Sequence, residues 1–234
     1  MMRNGLLAGL LFLCQASFLS GEAAGSPSEL LKKGQWMLGL DVDSTVAREL
    51  KTGGTSSKAY MLCAGHSRGY GLTDWLSVFG TIGAGYVSVK DNLGQHGFNT
   101  NLLASGQLKL RLWQSRGHGW EWDASSQYAY VGLPHRHSAN DIVWHEWQGA
   151  TSLSRTWDRW APYLGVKYDT VHADVKLRQN GELLTQSGSY HSTLDVGPFL
   201  GFDWWIGEEH DTAFNLEVSA VGGAEMTCSL RKRF

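Results

Sequence analysis

The sequence predicts an all-β protein, a closed antiparallel up-and-down transmembrane β-barrel of about ten strands within a range of about 8–12. Three observations predict it. Apolar and polar residues alternate at period two along most of the chain. The alternating runs are separated by turns that are, with one exception, short and long by turns. Aromatic residues bracket the short turns.

Residues 1–25 read as a secretory signal peptide and residues 26–234 as the barrel domain. Arg3 precedes an apolar run from Leu6 to Leu13 that extends loosely to Leu19, and small residues follow, with cleavage expected after Ala23 or Gly25. The apolar run is too short to cross a bilayer as a helix. Cys14 follows Leu11, Phe12 and Leu13, where a lipoprotein would need small residues, so a lipid anchor is not expected. No later stretch approaches 18 uninterrupted apolar residues. A formal net charge of −2 and a pI near 6.5 give no electrostatic case for nucleic acid. Processing leaves Cys63 and Cys228, too few for a disulfide-stapled scaffold. Placed two strands apart in a closed barrel, they are beyond disulfide reach, and both are expected to point to lipid.

The ten strands follow in order. The first, 35–48, sets Trp36, Leu38, Leu40 and Val42 against Gln35, Asp41, Asp43 and Thr45. The long "ELKTGGTSS" leads to the second, 57–69, and the short "YGLTD" to the third, 75–89. After the long "KDNLGQHGFNT", the fourth, 101–113, carries Leu102, Leu108, Leu110 and Leu112 opposite Asn101, Gln107, Lys109 and Arg111. The short "QSRGHG" gives the fifth, 119–132, and the long "PHRHSANDI" the sixth, 143–156. "DRWA" turns into the seventh, 161–176, and "RQNGELLTQSGSY" into the eighth, 190–206, with Val196, Leu200, Phe202 and Trp204 against Asp195, Gly197 and Asp203. "GEEHD" precedes the ninth, 212–221, with Phe214, Leu216 and Val218 against Asn215 and Glu217. The "GG" at 222–223, short where a long loop is due, leads to the tenth, 224–234, where Met226, Cys228 and Leu230 oppose Glu225, Thr227, Arg231 and Arg233.

Tyr70 and Trp75 flank the first short turn, Trp113, Trp120 and Trp122 the second, Trp157 and Trp160 the third, and Trp204 and Trp205 the fourth. Trp36 and Phe234 fall at the same end of an even-stranded barrel. That is a girdle at a membrane interface. With the signal peptide, the "YGLTDWLSVFGTIGAGY" strand-turn-strand and the strand ending on Phe234, the chain resembles bacterial outer-membrane β-barrel proteins of the small OmpA-like or opacity type, porin-like in build. The resemblance implies location in the bacterial outer membrane, short turns on the periplasmic side, and a monomer whose partners are outer-membrane lipid, lipopolysaccharide and the barrel-assembly machinery. It also implies that Phe234 is part of an assembly signal. Lys232 departs from that pattern, an outward cation whose long stem would let it snorkel.

With the apolar faces to lipid, the other faces line the lumen. A network of paired charges is expected there from Asp41, Asp43, His66, Arg68, Lys109, Arg111, Glu121, Asp123, Arg231 and Arg233, with Lys109 opposite Asp123 and Arg111 opposite Glu121. Further lumen charges are Glu146, Lys167, Asp169, Asp195, Asp203 and Glu217. A small barrel is about wide enough inside for side chains to fill, so the expected function is a structural or surface-interacting outer-membrane protein with a largely filled polar lumen. A narrow pore for small solutes is the alternative, glycines at 39, 83, 85, 165, 197 and 201 leaving room. A second alternative is a rim hydrolase of the omptin or lipid A deacylase type, for which His172 with Asp174 and His137 with Ser138 would be the candidates, although neither motif is present. No catalytic residue, cofactor or metal site is assigned. His135, His137 and His145, grouped in "PHRHSANDIVWHEW" at the long-loop end, are the weak candidates for metal.

Overall fold

The computed structural model describes residues 25–26, 29–52, 55–91, 94–97, 100–132, 140–179, 182–183, 188–192, 195–207 and 209–234. The expected signal peptide therefore lies, but for Gly25, outside the described residues. The strand segments are β1 (Trp36–Thr52), β2 (Thr55–Gly71), β3 (Leu76–Asp91), β4 (Gly94–Gly97), β5 (Asn101–Gln114), β6 (Trp120–Val131), β7 (Asn140–Arg155), β8 (Trp160–Gln179), β9 (Glu182–Leu183), β10 (Gly188–His191), β11 (Asp195–Ile206), β12 (Thr212–Ala220) and β13 (Ala224–Arg233). Each pairs antiparallel with its neighbours, and β13 returns to β1 from Met37↔Arg233 to Val46↔Ala224, closing the barrel. β4 and β5 lie along β3 as one wall strand, and β9, β10 and β11 lie along β8 as another, so the wall has ten strands.

Alternation decides which side chains go in. On β1, Met37, Asp41 and Thr45 are buried, while Trp36, Leu38 and Leu40 are exposed. The parity then changes. The β1–β2 register shifts between Thr45 and Arg48, and Ala47 takes a left-handed φ of 59°. This β-bulge adds one residue to β1 and turns every later side chain to the opposite face. Arg48 and Leu50 consequently point inward, both fully buried.

The wall also changes in number. β12 and β13 are short, with the Val221–Gly223 turn between them, and beyond that turn Lys51 of β1 pairs with His191 of β10. The long-loop end is therefore closed by eight strands. Each contributes to one apolar cluster: Leu50 from β1, Met61 and Cys63 from β2, Val87 and Val89 from β3, Leu103 from β5, Val131 from β6, Ile142 and Trp144 from β7, Val171 and Val175 from β8, and Tyr190 from β10. An eight-stranded barrel leaves about the space that such side chains fill. Cys63 is thus inside, contrary to the outward position expected from sequence, because it shares a face with Met61 rather than with Leu62. Cys228, half-buried, is the register partner of Leu216 and Val42 on the outer side.

Outside, Leu38, Leu40, Ile82, Leu108, Leu164, Val196, Leu200 and Leu230 form an exposed apolar band. At the short-turn end it meets exposed Trp36, Trp75, Trp113, Trp122, Trp157, Trp160 and Phe234, and towards the long loops exposed Tyr86, Trp147 and Tyr168. Trp204 stacks on Trp160 with ring centroids 5.6 Å apart. Trp205 departs from the expected girdle: it is buried, with the Arg233 guanidinium 4.3 Å above its ring.

Candidate functional site: the barrel lumen

The lumen is organised in layers along the barrel axis. Nearest the short turns it holds a chain segment as well as side chains. Leu31 packs with Met37 and Phe79, and its amide donates to the Ser77 hydroxyl at 3.0 Å. Glu29 is buried between Arg231 at 2.7 Å and Lys109 at 3.1 Å, and Lys109 also donates to the Ser26 carbonyl. Ser26 donates to Asp203 at 2.9 Å, and the Gly25 amide to Glu217 at 3.0 Å. These partners come from β1, β3, β5, β11, β12 and β13, so Gly25, Ser26 and Glu29–Leu31 lie within the interior. Ser26 and Glu29 carry no pattern in the sequence that would place them inside.

Above it, the Tyr163 hydroxyl donates to Glu217 at 3.1 Å and accepts from Asn215 Nδ2 at 2.9 Å, and Asn215 also donates to Asp203 at 2.6 Å. A Cβ at Gly201 would lie 2.4 Å from that hydroxyl, and one at Gly165 2.5 Å from the Phe199 ring. At these two positions the missing side chain accommodates an aromatic neighbour.

The third layer is centred on Arg48. Its guanidinium reaches Glu146 at 2.7 Å, Asp169 at 2.6 Å, and Glu225, which also receives Lys167. Trp144 Nε1 donates to the second oxygen of Glu146 at 3.0 Å. Ligand oxygens of the three carboxylates lie within 4.8 Å of one another, close enough to hold a metal ion, but the Arg48 guanidinium already reaches all three. Arg48 was missed in the sequence because strict alternation puts it on the lipid face. A charge between Val46 and Leu50, on a face otherwise free of charge, is the signal that could have disclosed the bulge.

Of the other residues named from sequence, Asp41 is buried against Arg231 at 2.9 Å, and Asp43 accepts from Thr227 at 3.5 Å. His66 and Arg68 lie on the outer face and are exposed, correcting their expected place in the lumen. Their register partners on β1 are the outward Leu40 and Leu38, and directly paired residues share a face. The fourth hairpin is also shifted. A bulge between Arg111 and Trp113 puts Arg111 opposite Asp123, Lys109 opposite Ser125 and Gln114 opposite Glu121, so the expected cross-strand pairs are replaced. Arg111 still approaches Glu121 at 3.6 Å, diagonally, while Lys109 turns to Glu29. Asp123 is buried. Phe234 pairs through its backbone with Trp36, at 2.9 and 3.2 Å. Lys232 reaches Asp211 at 3.3 Å and lies 5.7 Å from the Phe234 ring centroid.

His135, His137 and Ser138 lie outside the described residues. His145 is on the outer face, its Nδ1 2.6 Å from the Tyr128 hydroxyl. His172 and Asp174 are 3.5 Å apart, also outside. Ser189 donates to the Asp174 carboxylate, so the acid stands between hydroxyl and imidazole rather than behind the imidazole as in a nucleophilic triad. A pocket of about 360 Å³ opens at the short-turn end between Leu30, Arg111, Glu121, Trp205 and Arg233.

A closed sheet with an apolar exterior, aromatic rims and charges inside meets the bilayer's demand that every backbone polar group be satisfied within the fold. The fold is that of an outer-membrane β-barrel. No protein-family model and no curated protein matches the chain. Solved structures similar to it include an outer membrane channel from Pseudomonas putida F1, with 11% identity over 91% of this chain and 100% of that one and a TM-score of 0.45. The outer membrane protein OprG from Pseudomonas aeruginosa has 12% identity over 91% and 99%, with a TM-score of 0.42. The Ralstonia pickettii toluene transporter TbuX has 13% identity over 92% and 96%, with a TM-score of 0.36.

Proposed function

We propose that this barrel is a non-conducting outer-membrane protein, with a structural role in the membrane or a surface role through its long loops. The observation that carries this reading is the eight-strand apolar cluster at the long-loop end, stacked on the Arg48 carboxylate layer. A hydrated ion crossing the barrel would have to enter an apolar plug and then displace a fully buried guanidinium from its counter-ions. Gly25, Ser26 and Glu29–Leu31 add a third obstruction from the other end. On this reading the partners are outer-membrane lipid along the apolar band and lipopolysaccharide at the long-loop rim, and the barrel acts as a monomer.

The test is electrical. The full chain, refolded and inserted in planar bilayers, should give no unitary current steps, and liposomes carrying it should not swell in small sugars. Steady ohmic conductance would overturn the reading. The narrow-pore alternative has one observation in its favour, the pocket at the short-turn end, whose Lys32, Arg111, Glu121 and Arg233 would meet a polar solute first. On that alternative, Arg111→Ala would change the selectivity of the current.

A further inference from the structure

Three histidines distant in sequence lie in one row on the outside of the wall. His145 of β7 is the register partner of His172 of β8, and His172 is the register partner of His191 of β10. The row stands two residues beyond Trp147 and four beyond Tyr168, on the long-loop side of the aromatic belt, and is therefore in contact with water and headgroups rather than with acyl chains. Directly paired residues on adjacent antiparallel strands bring their side chains together on one face.

The geometry within the row is that of a chelate. His172 Nδ1 and His191 Nδ1 face each other at 2.9 Å, with ring centroids 4.5 Å apart. On the far side of His172, Nε2 lies 3.5 Å from Asp174 Oδ1, and Ser189 holds the same carboxylate. A carboxylate at Nε2 favours the tautomer with its proton there, leaving the Nδ1 lone pair directed at His191. A carboxylate behind the ring is the usual outer partner of a metal-bound imidazole. Metal–nitrogen bonds of about 2.0–2.1 Å in tetrahedral geometry separate two ligand nitrogens by about 3.3 Å. A small opening of the pair would accept the ion.

We propose that His172 and His191 chelate a divalent transition-metal ion of the zinc, copper or nickel type, with Asp174 as the positioning residue. The ion would tie β8 to β10, the short segment that closes the eight-stranded end against β1. His145 stands beside the pair, its ring centroid 6.2 Å from that of His172, with Nδ1 engaged by Tyr128. The groups around the row are Tyr128 and Tyr130 of β6, Asp174 of β8, Ser189 of β10 and Lys51 of β1, the register partner of His191. The negative charge of Asp174 next to His172 favours a cation here over an anion such as a lipid phosphate.

The test is a titration of metal-free, refolded full chain in detergent with Zn2+ alone. Wild type should bind one equivalent more than His172→Ala or His191→Ala, each variant being first shown to keep the heat-modifiable band of the folded barrel. Asp174→Asn should weaken that equivalent about tenfold. Lowering the pH to about 5.5 should abolish it, because protonated imidazoles do not ligate. His145→Ala should leave it within about twofold. Unchanged stoichiometry in both His172→Ala and His191→Ala would overturn the site, and an equal loss in His145→Ala would overturn the assignment of ligands. Inorganic phosphate should not bind; phosphate binding that depends on the same two histidines would replace the metal site with an anion site.

Discussion

Arg48 Nη1 lies 2.7 Å from Glu146 Oε1, joining β1 to β7 across the interior although the two strands do not pair. With Asp169 and Glu225 on the same guanidinium, one cation holds together side chains from β7, β8 and β13. Removing it would leave three carboxylates facing one another without their common partner. Arg48→Met should lower unfolding stability by about 3–5 kcal/mol, measured as a shift in the urea midpoint followed by tryptophan fluorescence. Adding Glu146→Gln should recover part of the loss. An unchanged midpoint in Arg48→Met would show that the guanidinium does not organise this layer.

The two cations of β5 should behave differently. Lys109 is fully buried on Glu29, whereas Arg111 and Glu121 are partly exposed at the rim. Arg111→Met should cost less than about 1 kcal/mol, as solvent-screened pairs do. Lys109→Met should cost about 3 kcal/mol, since it removes a partner from a buried charge and releases the Ser26 carbonyl. Limited proteolysis of that variant should also cut more readily near Gly25–Lys32. Equal destabilisation by the two substitutions would contradict this placement.

Ala47 holds a backbone conformation that side chains disfavour by about 1–2 kcal/mol. Ala47→Gly should therefore raise stability by about 1 kcal/mol, and Ala47→Val should lower it. Deleting Ala47 should be tolerated, because removing the extra residue leaves Thr45, Arg48 and Leu50 at regular alternation on the inner face. A deletion variant that fails to assemble as a folded, heat-modifiable barrel would mean that the bulge does more than set the parity of the later residues.

Thiol labelling reports the face of each cysteine. In the folded barrel a membrane-permeant maleimide should modify Cys228, half-buried on the outer side, and spare Cys63, which is 2% exposed within the apolar cluster. Both should react after unfolding in urea. Rapid modification of Cys63 in the folded state would show that the cluster is open to small molecules, and would favour the narrow-pore reading.

The ten wall strands and the aromatic rim were legible in the sequence because each depends on local properties. Alternation at period two and short turns between aromatics can be read residue by residue, and the strands fall within a few positions of where the pattern puts them. The charged lumen face of β13, with Glu225 and Arg231, was legible for the same reason. His66 and Arg68 were misplaced because two polar residues were assigned to the lumen by charge, while their own strand sets them on the face of Leu62 and Tyr70.

Tertiary structure decided the rest. The bulge at Ala47 inverts the faces of β1 by a single residue, where its register against β2 shifts. Ser26 and Glu29 lie in the lumen because buried Lys109, Arg231 and Asp203 offer them partners from distant strands. His145, His172 and His191 become neighbours only when β7, β8 and β10 are in register. Which elements form and which solvent the wall meets follow from the chain alone, since alternation acts along it. Which charges meet inside depends on inter-strand register and on closure of the sheet, and those are properties of the whole barrel.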